Sequence, residues 1–325
     1  MTRGGATGPA IYHQATESGT YTVIVSEYYS GIGDYNLHFV LAPGTSEWGA
    51  VSSGSAYAGT LDAGDLDSYD IIANAGESIA VRAGKLNVND TLTPHLRLYG
   101  PSGSLIDAIW GGAPVIYHQA VESGTYTVVV TEHYGGDTSG DYNLHFFLAP
   151  GASEGGFISN GDTLVGTLDE GDLDSYSFTA NTGALITVSA SVLNGSISPY
   201  LRLYSPSGSL ADDESAAASA IYHQAVESGT YTVVVTENYY TSTTGDYNLN
   251  FDLVPPTTQL RCDLNNNGEV DAGDLSQVLR MVVDIIADDL DCDINNAGLG
   301  DGAISTADLV IVTRIVLGII PEIVN

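Results

Sequence analysis

The residues best suited to chemistry lie near the C-terminus. Asp263-Leu264-Asn265-Asn266-Asn267-Gly268-Glu269-Val270-Asp271-Ala272-Gly273-Asp274 places oxygen-bearing side chains at positions 1, 3, 5, 9 and 12 of a twelve-residue stretch. A hard cation such as Ca²⁺ needs six or seven oxygens converging on one point, and alternate residues of a tight loop supply them. Gly268 at position 6 permits the sharp turn, and the carbonyl of Glu269 serves position 7. Position 12 is Asp274 rather than the usual Glu, which shortens that ligand's reach. The expected ligands are therefore Asp263, Asn265, Asn267, Glu269, Asp271 and Asp274. A second, interrupted copy offers Asp293, Asn295, Asp301, Ala303 at the carbonyl position, Ser305 and Asp308, with four extra residues between Asn295 and Asp301. The alternative is that such loops cap a helix without metal.

The only two cysteines, Cys262 and Cys292, immediately precede position 1 of each loop. Equivalent places in a pseudo-twofold pair predict a disulfide, which would close a loop of about 30 residues and add ~3 to 4 kcal/mol by the chain-entropy relation. Such a bond fits an oxidising, exported setting. Two cysteines with no histidine nearby argue against zinc.

Catalytic constellations are harder to find. No Gly-x-Ser-x-Gly elbow and no His-Glu-x-x-His occur. Of the histidines, His13, His118 and His223 occupy one repeated position, while His38, His95, His133 and His145 fall mostly on strand patterns. Copied positions do not make a unique triad, so these read as strand-packing residues. Asp62, Asp65 and Asp67, repeated as Asp169, Asp172 and Asp174, mark acidic turns that are either solvated or Ca²⁺-binding. Tyr28-Tyr29, Tyr134 and Tyr239-Tyr240 recur in one loop, suited to stacking on sugars or to packing on their own domain.

The elements that position these residues come in repeats. Ile-Tyr-His-Gln-Ala starts at Ile11, Ile116 and Ile221, a spacing of 105 residues both times. Glu-Ser-Gly-Thr-Tyr-Thr-Val follows at Glu17, Glu122 and Glu227, and Gly-Asp-Tyr-Asn-Leu at Gly33, Gly140 and Gly245. Leu-Asp-x-Gly-Asp-Leu-Asp-Ser-Tyr occurs at Leu61 and Leu168, and Leu-Arg-Leu-Tyr-x-Pro-Ser-Gly at Leu96 and Leu201. A period this long is a whole domain. β-Branched and aromatic runs such as Tyr126–Val130, bounded by Gly and Asp turns, predict short antiparallel strands packed as a sandwich.

In that order, these blocks resemble the bacterial pre-peptidase C-terminal domain, a jelly-roll β-sandwich that accompanies exported peptidases and is usually non-catalytic. The resemblance implies two complete sandwiches, 45–149 and 150–256, and a partial repeat in 1–44 holding the last three strands. Past Pro255-Pro256 the pattern becomes helical. Leu275, Val278, Leu279 and Val282, then Leu309, Val312 and Val316, follow each loop at helical spacing. This duplicated loop–helix pair in 257–325 resembles a type I dockerin. That family binds Ca²⁺ in both loops and docks on a cohesin through polar residues at loop positions 10 and 11 and a basic residue further on. Here positions 10 and 11 are Ala272-Gly273 and Thr306-Ala307. The resemblance thus marks Thr306, Arg280 and Arg314 for partner binding. The fold class expected is mainly β, tandem antiparallel jelly-roll-like sandwiches plus a small all-α dockerin-like domain.

Composition narrows the function. With 8 Lys+Arg against 40 Asp+Glu the formal charge is −32, which repels phosphate backbones and anionic membranes. Neither nucleic acid nor a membrane span is expected, since no apolar run reaches ~18 to 20 residues. Met1–Gly5 lacks the basic and apolar regions of a signal peptide. The expectation is that the export signal and the upstream strands were lost by N-terminal truncation. The leading functional expectation is a secreted, non-catalytic attachment region, with Ca²⁺ as cofactor and a cohesin-like, cell-surface or polymer partner. It would tether or target a polysaccharide- or protein-degrading enzyme. The alternatives are the C-terminal part of a secreted peptidase or glycoside hydrolase, or an extracellular filament assembled by strand exchange.

Overall fold

The computed structural model describes residues 10–27, 30–87, 90–134, 138–215, 218–238, 243–256, 264, 270–282 and 313. The chain divides into two compact units, Met1–Pro255 and Pro256–Asn325.

In the first unit the repeated sequence makes the same eight strands twice. The first set is β1 (Ser55–Leu61), β2 (Leu66–Ala73), β3 (Ser78–Lys85), β4 (Pro94–Tyr99), β5 (Leu105–Trp110), β6 (Val115–Gln119), β7 (Gly124–Glu132) and β8 (Gly140–Ala149). They form two antiparallel sheets ordered β1-β8-β3-β6 and β2-β7-β4-β5. Consecutive strands change sheet at every step except the β4–β5 hairpin, which is jelly-roll order. The second set is β9 (Thr163–Leu168), β10 (Leu173–Ala180), β11 (Leu185–Val192), β12 (Pro199–Tyr204), β13 (Leu210–Ser215), β14 (Ala218–Gln224), β15 (Gly229–Glu237) and β16 (Gly245–Val254). Its sheets, β9-β16-β11-β14 and β10-β15-β12-β13, repeat that order.

Alternation along the strands fills each core. Tyr126, Val128 and Val130 of β7 point inward against Ile79 and Val81 of β3 and Leu144 and Phe146 of β8. Tyr231, Val233, Val235, Leu249 and Phe251 do the same in the second sandwich. Each fully buried side chain of this size contributes roughly 1.5–3 kcal/mol. The acidic turns send the chain from one sheet to the other. Asp65 N–H donates to Asp62 O at 3.0 Å and Asp172 N–H to Asp169 O at 3.1 Å. Gly64 and Gly171 supply the left-handed residue, with φ of 79° and 76°.

The partial repeat departs from expectation. Among the described residues of 10–44, no strand forms. The reason lies in the strand order. β6 pairs with β3, β7 with β2 and β4, and β8 with β1 and β3. The last three strands of a repeat therefore never pair with one another, and alone they have no ladder to join.

In the second unit, Ala272–Val282 forms the helix α1. Of the second expected helix only Thr313 is described, and it is helical.

Candidate functional site

The start of α1 is where the expected Ca²⁺ loop meets structure. Asp271 caps the helix, its Oδ1 accepting from Gly273 N–H at 2.6 Å, and Asp274 Oδ2 accepts from Asp271 N–H at 2.9 Å. The pair satisfies two of the N–H groups that a helix start leaves unpaired. Asp274 is fully buried and Val270 nearly so. Asp263, Asn265, Asn267, Glu269, Asp293, Asn295, Asp301, Ala303, Ser305, Asp308, Thr306, Arg314, Cys262 and Cys292 lie outside the described residues, as does the side chain of Arg280.

The acidic turns build a second arrangement, once per sandwich. Inside, Tyr142 Oη donates to Asp67 Oδ2 at 2.5 Å and meets Tyr69 Oη at 2.7 Å. In the second sandwich Tyr247 Oη donates to Asp174 Oδ2 at 2.5 Å and meets Tyr176 Oη at 3.0 Å. Burial pushes the Asp174 carboxyl up to about 7, helped by the neighbouring Asp172. Asp67 is also raised by burial, with the bonds from Tyr142 and Trp48 opposing. Trp48 Nε1 donates to Asp67 Oδ1 at 3.1 Å. Gly155 stands at the matching place in the second repeat, so Asp174 has no indole donor.

Outside, His145 Nδ1 meets Asp172 Oδ1 at 2.9 Å. Ligand atoms of His145, Glu154 and Asp172 all lie within 4.8 Å of one another, one such group among the described residues. One imidazole nitrogen with two carboxylates is a borderline donor set, closer to Zn²⁺ or Mn²⁺ than to Ca²⁺. The imidazole–carboxylate bond already serves these groups, and burial followed by the nearby Asp172 raises Glu154.

That cluster stands at a joint between the sandwiches. Ala80 of β3 and Phe147 and Ala149 of β8 pack against Leu173, Tyr204 and Val234 of the second sandwich. The Arg202 guanidinium sits 4.0 Å from the Tyr117 ring, and Arg82 Nη1 donates to Glu237 O at 3.0 Å. The backbones nearly touch at Gly84 and Gly171, where a Cβ on Gly84 would meet Glu170 O at 2.2 Å. The joint is made once more upstream. Arg97 lies 4.0 Å from the Tyr12 ring, and His38 Nδ1 meets Asp65 Oδ1 at 2.7 Å. The corresponding outer face of the second sandwich has lost the pattern: Ser189, Asn250 and Asp252 replace Arg82, His145 and Phe147.

An aromatic patch distinguishes the first sandwich. Trp110 at the end of β5 stacks on His133 at 3.8 Å, and Tyr134 meets both edge-on. Trp110 is 48% exposed and Tyr134 68%. Burial, then the Arg97 charge, pushes the His95 imidazole beneath down to about 4, so it is neutral at neutral pH. Ser215 and Asn238 take the places of Trp110 and His133 in the second sandwich.

Reading the histidines as strand packing missed the joint. The available signal was that His38 and His145 recur with Asp65 and Asp172 at one offset, and that the last repeat alone drops the histidine. The structure brings together the Asp pairs of the turns with partners from distant strands. Tyr134 gains Trp110 as a neighbour.

No family model matches the chain, and no curated protein does either. Among solved structures the chain is similar to the pre-peptidase C-terminal domain of a collagenase from Bacillus anthracis. That match has 23% identity, covers 30% of this chain and 93% of the other, and has a TM-score of 0.26. It is also similar to the N-terminal tandem CBM22 domains of Xyn10C from Paenibacillus barcinonensis. There the identity is 8%, the coverage 65% of this chain and 94% of the other, and the TM-score 0.21.

Proposed function

We propose that this chain is a non-catalytic accessory and attachment region of an exported protein. The two sandwiches form a stiff spacer, and residues 257–325 form a Ca²⁺-dependent, dockerin-like module that docks on a cohesin-like, cell-surface or polymer partner. Asp263, Asn265, Asn267, Glu269, Asp271 and Asp274 hold one ion, and the second loop holds another. The Cys262–Cys292 disulfide ties the loops together. Arg280, Arg314 and Thr306 face the partner.

The observation that carries this reading is the joint made twice from the same residues. Tyr117–Arg202 and His145–Asp172 repeat Tyr12–Arg97 and His38–Asp65. Polar side chains copied from repeat to repeat and spent on inter-repeat contacts suit a spacer better than one asymmetric reaction centre. The Trp110–Tyr134 patch adds a surface on which a sugar ring could stack.

The experiment is Ca²⁺ titration of the purified full chain after EGTA treatment, combined with assays on peptide and glycoside substrates. Two bound ions, a gain of helical circular dichroism and inertness toward both substrate classes are expected. Turnover of either substrate overturns the accessory reading. Helix content indifferent to chelation overturns the Ca²⁺ module.

A further inference from the structure

The two sandwiches differ most sharply at one end of the sheet β2-β7-β4-β5. Trp110 ends β5 and stands opposite His95 of β4, while His133 follows β7 on the other side of β4. The chain entering β4 holds both flanks: His133 N–H donates to Thr93 O at 3.0 Å, and Gly111 N–H donates to Pro94 O at 3.3 Å. Strand pairing thereby lays the indole on the imidazole, 3.8 Å apart and within 12° of parallel. Tyr134 meets both rings edge-on, and His95 meets His133 edge-on.

The stack is held from below. His95 Nδ1 accepts from Arg97 Nη2 at 3.1 Å, and Arg97 Nη1 donates to Thr131 Oγ1 at 3.0 Å. A platform fixed before its ligand arrives loses little side-chain entropy on binding.

The fold does not require these rings. In the second sandwich Tyr200, Ser215 and Asn238 take the places of His95, Trp110 and His133, and the same strands pair in the same order. Trp110 remains 48% exposed although His133 covers one face of its indole, so the open area is the opposite face and the edge. Large rings kept in solvent where Ser and Asn suffice mark a binding surface.

The chemistry of the patch selects its ligand. Trp110, His133 and Tyr134 carry no carboxylate or ammonium group, and a chain charge of −32 disfavours an anionic polymer. Three side chains are far short of a stable protein–protein interface, which covers about 800 Å² per partner. A flat apolar face of one ring's size, bordered by an indole N–H and a phenol hydroxyl, complements a pyranose. Such a ring has an apolar C–H face and hydroxyls around its rim.

We propose that Trp110, His133 and Tyr134 form a binding platform for one pyranose ring of a neutral polysaccharide. The proposal rests on the accessory reading, and it gives the first sandwich a polymer contact independent of the Ca²⁺ loops.

The test titrates the EGTA-treated full chain with cellohexaose and xylohexaose, and in parallel with a proline-rich peptide and an oligogalacturonate. The two tryptophans, Trp48 and Trp110, give two indole N–H signals in a proton–nitrogen NMR spectrum. A saturable shift of the Trp110 signal in the millimolar range is expected with a neutral oligosaccharide, with the Trp48 signal unmoved. Trp110→Ser installs the residue of the second sandwich, and Tyr134→Ala changes an exposed position. Each should weaken sugar binding about tenfold, read by saturation transfer to the oligosaccharide, with melting of the chain unchanged. A Trp110 signal indifferent to both neutral oligosaccharides, or moved only by the peptide or the anionic sugar, overturns the proposal. So does sugar binding that survives both changes. Binding accompanied by cleavage of the oligosaccharide supports the platform and overturns the accessory reading.

Discussion

Two carboxyl groups at one repeated position sit in different surroundings: burial raises Asp174 the further, and only Asp67 has an indole donor. Asp67 receives Tyr142 and Trp48, whereas Asp174 receives Tyr247 without an indole. Burial, helped by the neighbouring Asp172, holds the proton on Asp174 to about pH 7, well above the ordinary carboxylate range. The folded state therefore binds more protons than the unfolded one between about pH 4 and 7. Stability from this group is complete below about pH 4 and falls as pH rises through that window, on the order of 1.4 kcal/mol per unit of pKa difference. Asp174→Asn keeps an acceptor for Tyr247 and cannot ionise. Urea unfolding followed by exchange in β15 peptides should show a flatter pH 4–8 profile in that variant, with Asp67→Asn changing less. Equal slopes in all three proteins would mean that Glu154, also raised by burial, governs the titration instead.

Nearly the same strand sequence meets two fates across the three repeats, which makes β7, β15 and residues 21–25 a controlled comparison. Val128 and Val233 are fully buried, whereas Val23, the same residue in the same local sequence, is half exposed. Val128→Ala and Val233→Ala should each destabilise their sandwich by roughly 1–3 kcal/mol through lost burial and the cavity left behind. Val23→Ala should change stability by less than about 0.5 kcal/mol. A comparable loss at Val23 would show that residues 10–44 are already packed. At α1, Asp271→Ala removes a cap and should cost about 1 kcal/mol of helix stability without Ca²⁺, and more with it under the Ca²⁺ proposal. Asp263→Ala separates the readings: under the Ca²⁺ proposal it should abolish the helix gained on adding Ca²⁺, read by circular dichroism.

At the scale of the molecule, the joint decides how the sandwiches are held. Gly84 leaves no room for a side chain, because Glu170 O would lie 2.2 Å from its Cβ. Gly84→Ala should push the sandwiches apart without unfolding either. Small-angle scattering should show a more extended, more variable particle, and melting of each sandwich should stay within about 1 kcal/mol of wild type. An unchanged scattering profile would mean that Tyr117–Arg202 and the Phe147 contacts hold the joint alone. Much of this architecture was legible in the chain itself. Period-2 apolar runs, Asp-x-Gly-Asp turns and the 105-residue spacing determine strands, turns and repeat number, because those depend on near neighbours and on burial of one strand face. The start of α1 was legible too, since capping residues act within one turn. Spacing does not reveal which strands pair. Only the tertiary structure decided that a repeat's last three strands alternate between sheets, so that the described residues of 10–44 form none. Only it brought His145 to Asp172 and Trp110 to His133, because those contacts join residues far apart in sequence and depend on how completed sheets pack.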